Sequence, residues 1–198
     1  MTTEAATERR AGRPRSERAE KAIVEATLDL LAAESGVAGV TIEAVASRAG
    51  VGKTTIYRRW PNKEALIVHA LAAVKRPLPE PSGGSVRADL LQLASTLGAE
   101  RKRKHAKCFW NVAGGAEKYP ELYARYRHDI IEPRRAVIRG VLSRGVETGE
   151  LRADLDLEVG VTMLIGPLTT RPPGEGLPDG YAEAVVDTLL RGIGAPPE

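Results

Sequence analysis

Cysteine, histidine and aromatic residues are scarce in this sequence of 198 residues, and each shortage argues against a class of site. The single cysteine, Cys108, has no internal disulfide partner, which is typical of a reducing cytoplasm, so we expect a cytoplasmic protein. Three separated histidines and no Cys/His cluster give a metal site little support, and we expect no metal and no cofactor. The sequence also lacks a Ser/His/Asp or paired-carboxylate pattern, so it does not predict an enzyme.

Long apolar runs are absent as well. The longest uncharged apolar-rich run, residues 159–170, contains Pro167 and is much shorter than the roughly 20 residues that a membrane-spanning helix needs. The N-terminal residues lack the apolar core of a signal peptide. We therefore expect no membrane partner.

Basic residues are concentrated toward the N-terminus. Residues 1–76 carry 13 Lys/Arg against 9 Asp/Glu, a balance of +4, whereas residues 77–198 carry 16 against 17, a balance of −1. Residues 48–63 hold five basic residues and no acidic one, although a solvated helix face usually alternates in sign. A short basic segment of this kind indicates a polyanionic partner such as DNA.

The basic segment follows a helix-turn-helix pattern. Thr41 is a candidate N-cap for a short helix at residues 42–48, in which apolar residues recur at helical spacing. Gly50 supplies the backbone freedom of a tight turn, and a second short helix covers residues 53–59. A helix at residues 16–33 supports this pair. The second helix of such a motif enters the major groove of DNA.

The letters GKT at residues 52–54 allow another interpretation, a phosphate loop for a nucleotide. That loop needs a glycine five residues ahead of Gly52, and the sequence has Ser47 there. It also follows a buried strand, whereas the preceding residues here have helical periodicity. A phosphate-loop nucleotide-binding enzyme is therefore the weakest alternative.

Beyond a Pro/Gly/Ser-rich loop at residues 75–85, the sequence has helical periodicity and no strand-period stretch. After a helix at residues 63–74, we predict helices at residues 86–103, 106–117, 119–149 with a break near Pro133, 155–171 and 179–193. The predicted fold is all-α, with an N-terminal helix-turn-helix domain and a larger C-terminal helical domain. The boundaries place a flexible basic arm at residues 1–15 and the two domains at residues 16–75 and 76–198.

Residues 41–66, TIEAVASRAGVGKTTIYRRWPNKEAL, closely resemble the DNA-binding signature of the tetracycline-repressor (TetR) family of bacterial transcription regulators. The Thr-capped helix, the Ala-Gly-Val turn, the Thr-Ile-Tyr of the recognition helix and the aromatic-Pro-x-Lys-Glu-x-Leu after it all match. The resemblance implies a homodimer through the last two helices, about residues 155–171 and 179–193. It also implies that residues 76–198 form a domain that dimerises and binds a small-molecule effector.

Candidate DNA contacts follow from side-chain chemistry. Lys53, Thr54 and Arg58 have groups suited to base edges. Candidates for phosphate contacts, or for either kind of contact, are Thr41, Arg48, Thr55, Tyr57 and Lys63. In the arm, Arg13 and Arg15 belong to a Gly-Arg-Pro segment that suits an A·T-rich minor groove, with a solvated basic tail as the alternative.

Five of the eight aromatic residues lie between positions 109 and 126. Aromatic side chains with polar tips commonly line small-molecule pockets, although they serve equally well in a core. The candidate effector-binding residues are Phe109, Trp110, Tyr119, Tyr123, Tyr126 and Met163.

The predicted function is DNA-binding transcriptional regulation. We expect a ligand-responsive repressor that binds a palindromic operator as a dimer and is released by a small-molecule effector. An activator with the same fold has the same sequence pattern. The alternative from another class is a general architectural DNA-binding protein that uses the basic arm and patch.

Overall fold

A computed structural model describes residues 13–33, 35–100, 103–170 and 176–193. Within these ranges the regular structure is helical, with no β-strand, which confirms the predicted all-α fold. The ten α-helices of the described residues are α1 (Arg13–Ala32), α2 (Ile42–Ala49), α3 (Lys53–Tyr57), α4 (Lys63–Val74), α5 (Val86–Ala99), α6 (Ala106–Gly114), α7 (Pro120–Tyr126), α8 (Glu132–Glu147), α9 (Leu157–Thr169) and α10 (Tyr181–Ile193). In the ranges described, none of these helices is long and apolar enough to cross a bilayer.

The chain divides into two compact units, Met1–Ala73 and Val74–Glu198. In the first unit, α1 packs along α2, and a 3₁₀ turn at Gly36–Gly39 joins them. The core of this unit contains Ile23, Leu31, Val45, Ile56 and Trp60, all buried. The short α3 is thereby fixed from one side, through Ile56.

The beginning of α1 differs from the sequence interpretation. The helix starts at Arg13 rather than Ser16, so residues 13–15 of the predicted arm belong to its first turn. Arginine favours a helix, and Pro14 is tolerated in the first turn because the amide hydrogens there have no intrahelical partner. Residues 1–12 of the predicted arm lie outside the described residues.

In the second unit, α5, α8, α9 and α10 pack around a shared apolar core. Its most buried members include Leu90, Leu93, Ile138, Leu142 and Leu164. The first turns of α5 also bury a carboxylate, that of Asp89, which is 1 % exposed. Asp89 Oδ2 accepts a hydrogen bond from Arg144 Nη2 at 2.5 Å, so one ion pair joins α5 to α8.

The segment at residues 119–149, predicted as one helix with a break, forms three pieces. A single π-helical turn, Arg127–Ile131, separates α7 from α8, and Pro133 lies in the first turn of α8. Proline has no amide hydrogen, and its ring collides with the carbonyl four residues earlier, which here belongs to Asp129. The wider turn at that carbonyl is therefore the local adjustment that lets the chain continue as a helix.

Candidate nucleic-acid interface and effector cavity

The turn between α2 and α3 has the backbone geometry of a helix-turn-helix. The Thr41 hydroxyl accepts a hydrogen bond from the Ala44 amide at 3.1 Å and caps α2, as the sequence predicts. At the other end of α2, Gly50 is left-handed with φ 66°, and its amide donates to carbonyls of the last turn. The Val51 amide then donates to the Ala46 carbonyl at 3.0 Å. These hydrogen bonds give partners to carbonyl groups at the C-terminal end of α2, and the left-handed residue reverses the chain toward α3.

Gly50 gives the first testable prediction. A β-carbon at this position meets no atom within 4 Å, so Gly50→Ala changes only the backbone preference. We expect it to destabilise the unit Met1–Ala73 by about 1–2 kcal/mol, because a left-handed conformation is unfavourable for alanine. Hydrogen exchange of the α2 and α3 amides measures the effect. Gly52→Ala is the matched control, since Gly52 has φ −74°, and an equal loss in both variants would contradict the argument.

One face of α3 is buried and the opposite face is exposed. Ile56 is fully buried, whereas Lys53, Thr54 and Arg58 are exposed and Thr55 is half-buried. Tyr57 is 53 % exposed, a high value for an aromatic side chain. The helix therefore presents the predicted contact residues together on one surface, which we call the α3 face (residues 53, 54, 57 and 58).

The remaining predicted contacts belong to the ends of α1, α2 and α4. Thr41 and Arg48 are exposed at the two ends of α2, and Lys63 begins α4 as a half-buried residue. The Asn62 side chain caps α4 by accepting a hydrogen bond from the Ala65 amide at 2.8 Å. Arg13 and Arg15 lie in the first turn of α1, and their side chains lie outside the described part of the chain.

Two of the predicted cationic contacts are paired with carboxylates. Lys53 Nζ donates to Glu43 Oε1 at 3.0 Å, and this hydrogen bond lowers the pKa of Glu43. Arg48 donates through Nε and Nη2 to Asp29 Oδ2, at 3.3 and 3.1 Å. Exposed pairs of this kind contribute little to stability, so both cations can exchange their partner for a phosphate. The carboxylates hold them in place beside the α3 face.

Arg59 has a structural role that the sequence did not indicate. Its side chain is only 18 % exposed, and it donates through Nη2 to the carbonyl and hydroxyl of Ser16, at 3.2 and 2.5 Å. Its Nε also lies 3.7 Å from Glu20 Oε2. Ser16 and Glu20 lie one turn apart on α1, and only the folded unit shows that both of them contact Arg59. Arg59 thus anchors the recognition helix to α1.

The second unit contains a cavity of about 320 Å³. Four of the six predicted effector-binding residues line it, namely Phe109 and Trp110 from α6 and Tyr123 and Tyr126 from α7. Aliphatic side chains of α5, α8 and α9 complete the wall, among them Leu97, Ile138 and Ile165. A mainly apolar cavity of this volume is within the range of small-molecule sites.

The other two predicted residues, Tyr119 and Met163, do not line the cavity. Tyr119 precedes α7, next to Gly115 and beneath the Lys118 ammonium group, which lies 5.7 Å from its ring centre. Met163 is 50 % exposed, because the cavity face of α9 carries Ile165 and Thr169, one turn apart. Met163 precedes Ile165 by two residues, which is more than half a helical turn. Its side chain therefore points away from the cavity.

Three charged side chains, Lys75, Glu100 and Arg134, lie together on the cavity wall, and we call them the charged triad. Lys75 Nζ donates to Glu100 Oε2 at 2.6 Å, and Arg134 Nη2 lies 3.0 Å from both oxygens of Glu100. Arg134 Nη1 also donates to the Arg76 carbonyl at 2.6 Å. The sequence did not reveal the triad, because its members are far apart in the chain and no local pattern joins them.

Burial shifts the pKa values of two side chains on the cavity wall. It lowers the pKa of the Lys75 ammonium, against the opposing effect of Glu100, and it raises the pKa of the Tyr126 phenol. Lys75 Nζ also lies 4.4 Å from the centre of the Phe109 ring, within the range of a cation–π interaction. Charged and aromatic side chains are therefore neighbours on the cavity wall.

Two family models match the chain. Residues 23–70 match the family described as bacterial regulatory proteins, tetR family, and residues 80–189 match the tetracyclin repressor-like C-terminal domain. The second match alone spans more than half of the chain. The chain belongs to the TetR family.

Individual proteins are similar to this chain over 70 % to 93 % of its length. The uncharacterised HTH-type transcriptional regulator YdeS of Bacillus subtilis is 34 % identical over 187 residues, which are 93 % of this chain and 94 % of that protein. The DNA-binding transcriptional repressor TetR of Mycobacteroides abscessus is 31 % identical, covering 70 % of this chain and 74 % of its own. The crystal structure of the TetR family transcription regulator SCO0332 is 32 % identical, with a TM-score of 0.61, and the match covers 88 % of this chain and 98 % of that one.

Membership of the TetR family gives the helix-turn-helix unit a general role. The protein is a TetR-family transcription regulator with an N-terminal helix-turn-helix unit for DNA, and the family consists of non-enzymatic DNA-binding proteins. The first matched range contains α2, α3, the second half of α1 and most of α4. The second contains all cavity-lining residues except Lys75, which lies between the two ranges.

Proposed function

We propose that this TetR-family regulator is a ligand-responsive repressor that binds a palindromic operator as a homodimer. The observation that carries the proposal is the α3 face, where cationic, hydroxyl and phenolic groups stand exposed while Ile56 holds the helix from behind. Lysine, arginine and threonine on such a helix suit base edges in the major groove, and the Tyr57 hydroxyl suits a phosphate. The similarity to a relative named as a repressor supports repression as the sign of regulation.

The exposed surface of α9 supports dimer formation. Val159 and Met163 are 52 % and 50 % exposed, and they lie one turn apart on the same face. Gly166 continues this face, and a β-carbon built there meets no atom within 4 Å, so another helix can approach closely. Two exposed apolar side chains beside an open glycine suit a helix–helix interface between two copies. We therefore propose α9 and α10 as the dimer interface.

Two DNA-binding units in a dimer would enter successive major grooves, about 34–36 Å apart. An effector in the cavity releases the operator when it binds better to a conformation whose units no longer match that spacing. Lys75, on the cavity wall, directly follows Val74, the last residue of α4. A ligand that repositions Lys75 thus acts on the residue through which α4 continues into the second unit.

Selection from genomic DNA tests the proposal. Purified full-length protein is incubated with sheared genomic DNA, and the bound fragments are recovered and footprinted. We expect one or a few palindromic sites, whose half-sites are centred about one helical turn apart or a multiple of it. Uniform recovery across the genome would contradict the proposal and favour a general architectural DNA-binding protein.

Glu43 provides a second prediction at this interface. Glu43→Gln should raise the affinity for the recovered operator about three- to tenfold, because it frees Lys53 and removes a carboxylate that repels phosphates. Fluorescence anisotropy with labelled operator measures the change. Glu80→Gln, which makes the same charge change in the other unit, is the control. An unchanged affinity, or an equal gain in both variants, would show that Glu43 does not face the DNA.

A further inference from the structure

The charged triad stands on an otherwise apolar wall. The side chains of Lys75, Glu100 and Arg134 are 17 %, 11 % and 11 % exposed, so all three are largely removed from water. The aromatic side chains described above form the neighbouring part of the wall. Charged groups are rarely buried in this way without compensation, because their removal from water is unfavourable. The triad therefore indicates which ligands suit the cavity.

The charges of the triad do not balance. Two cations face one carboxylate, and both oxygens of Glu100 already accept hydrogen bonds from Lys75 and Arg134. A fourth charged residue on the wall, Arg135, donates to Glu158 Oε2 at 2.9 Å and shares that carboxylate with Arg139. Within the triad, as far as the described residues show, two cations face one carboxylate, and water screens the excess positive charge poorly. An anionic group on a ligand would neutralise it, whereas a cationic ligand would add to it.

From this geometry we propose that the effector is a ring-containing carboxylate. Its carboxylate would lie against Arg134 and Lys75, and its rings would lie among Phe109, Trp110 and Tyr126. The inference rests on the ligand-responsive function proposed above and adds the chemical class of the ligand.

Physical arguments support both parts of the proposed ligand, its carboxylate and its rings. Arg134 has five N–H donors, of which Glu100 and the Arg76 carbonyl take at most three, and charge-assisted hydrogen bonds to a carboxylate are the strongest of their kind. Aromatic rings favour offset or tilted contacts, and the wall already has such a contact between Phe109 and Tyr126, with ring centres 6.4 Å apart. The cavity volume of about 320 Å³ equals that of roughly ten water molecules, enough for a body of one or two rings.

Three probes of the same shape test the charge preference. Calorimetry on the full-length protein compares naphthalene-2-carboxylate with its neutral carboxamide and with the cationic 2-naphthylmethylammonium. We expect the carboxylate to bind at least about tenfold more tightly than the carboxamide, and the ammonium compound to bind most weakly. If the carboxylate has no advantage, or if none of the three binds at millimolar concentration, the proposal is wrong.

Two substitutions with opposite expected effects connect the preference to the triad. Arg134→Met leaves one cation against one carboxylate, and it should weaken naphthalene-2-carboxylate binding about tenfold or more while changing carboxamide binding little. Glu100→Gln leaves two cations without an internal anion, and it should tighten carboxylate binding several-fold. Arg152→Met is the control, because Arg152 is an exposed arginine paired with Asp154 and does not line the cavity.

The neutral probe separates a charge effect from loss of structure. A variant that fails to fold would lose both the carboxylate and the carboxamide, and circular dichroism identifies it directly. Weaker carboxylate binding by Glu100→Gln, with carboxamide binding intact, would overturn the proposal. The binding experiment contains no DNA, so this result would leave operator recognition untouched. A failure of the proposed function appears instead in the genomic selection.

Discussion

Tyr57→Ala is expected to weaken operator binding by roughly 30- to 150-fold. The ring is 53 % exposed on the α3 face, where its hydroxyl suits a DNA phosphate. A typical hydrogen bond contributes about 1–1.5 kcal/mol net of the water that it displaces, and a dimer loses two of them. Because phosphates carry no sequence information, the loss should be similar for different operator sequences. Anisotropy titration of labelled operators measures it.

Tyr57→Phe identifies the atom responsible. It keeps the ring and removes only the hydroxyl, so it should show most of the loss if a phosphate accepts the hydrogen bond. Neither variant should change the free energy of unfolding by more than about 0.5 kcal/mol, because the side chain lies outside the core. Cavity binding of naphthalene-2-carboxylate should also be unchanged. Parallel loss of DNA binding and of cavity binding would indicate unfolding and contradict the assigned role.

Asp89→Asn is expected to destabilise the unit Val74–Glu198 by about 3 kcal/mol, the largest effect on stability that we predict. The Asp89 carboxylate accepts four hydrogen bonds, from the amide and hydroxyl of Ser82 at 2.8 and 2.7 Å, from the Gly83 amide at 3.3 Å and from Arg144 at 2.5 Å. Asparagine has only one acceptor oxygen, so its amide nitrogen would face two of these donors. Arg144 would also lose its carboxylate partner.

Hydrogen exchange of the α5 and α8 amides measures this loss. Asp154→Asn is the matched control, because Asp154 pairs with Arg152 at the exposed surface and such pairs contribute little. Equal effects of the two substitutions would contradict the assignment of Asp89 as the buried link between α5 and α8.

The Asp89 carboxylate also makes the stability of the unit Val74–Glu198 depend on pH. Burial alone would raise the pKa of Asp89, but the hydrogen bonds from Ser82, Arg144 and Gly83 outweigh it and hold the pKa below its ordinary value of 3.8. The folded state therefore binds this proton less readily than the unfolded state. The stabilisation is complete above that ordinary value and is lost as the pH falls through the lower folded-state pKa. Asp89→Asn should lack this component of acid destabilisation.

The sequence predicted the DNA-binding unit well because its signals are local. A threonine cap at Thr41, a left-handed glycine at Gly50 and apolar spacing within short helices each depend on residues a few positions apart. The helix predicted at residues 63–74 has those bounds in the structure. The role of Arg59 could not be predicted from neighbouring residues, because its partners lie on α1, more than 35 residues earlier in the chain.

The lining of the cavity was only partly predictable for the same reason. Four of the aromatic side chains clustered within residues 109–126 line one cavity, two from α6 and two from α7. The charged triad joins positions 75, 100 and 134, which approach only when the second unit packs. Met163 was among the predicted cavity residues, but the face that α9 turns to the cavity depends on the helices packed against it, and Ile165 lies on that face instead.

The central claim, that the α3 face reads a DNA sequence rather than only its phosphates, is tested most directly by a salt titration. Binding to the best recovered genomic fragment is compared with binding to the same fragment in shuffled order, across a series of salt concentrations. We predict that both affinities fall steeply with salt while the recovered fragment stays at least about 10³-fold tighter. Equal affinity for the two fragments at every salt concentration would contradict the claim.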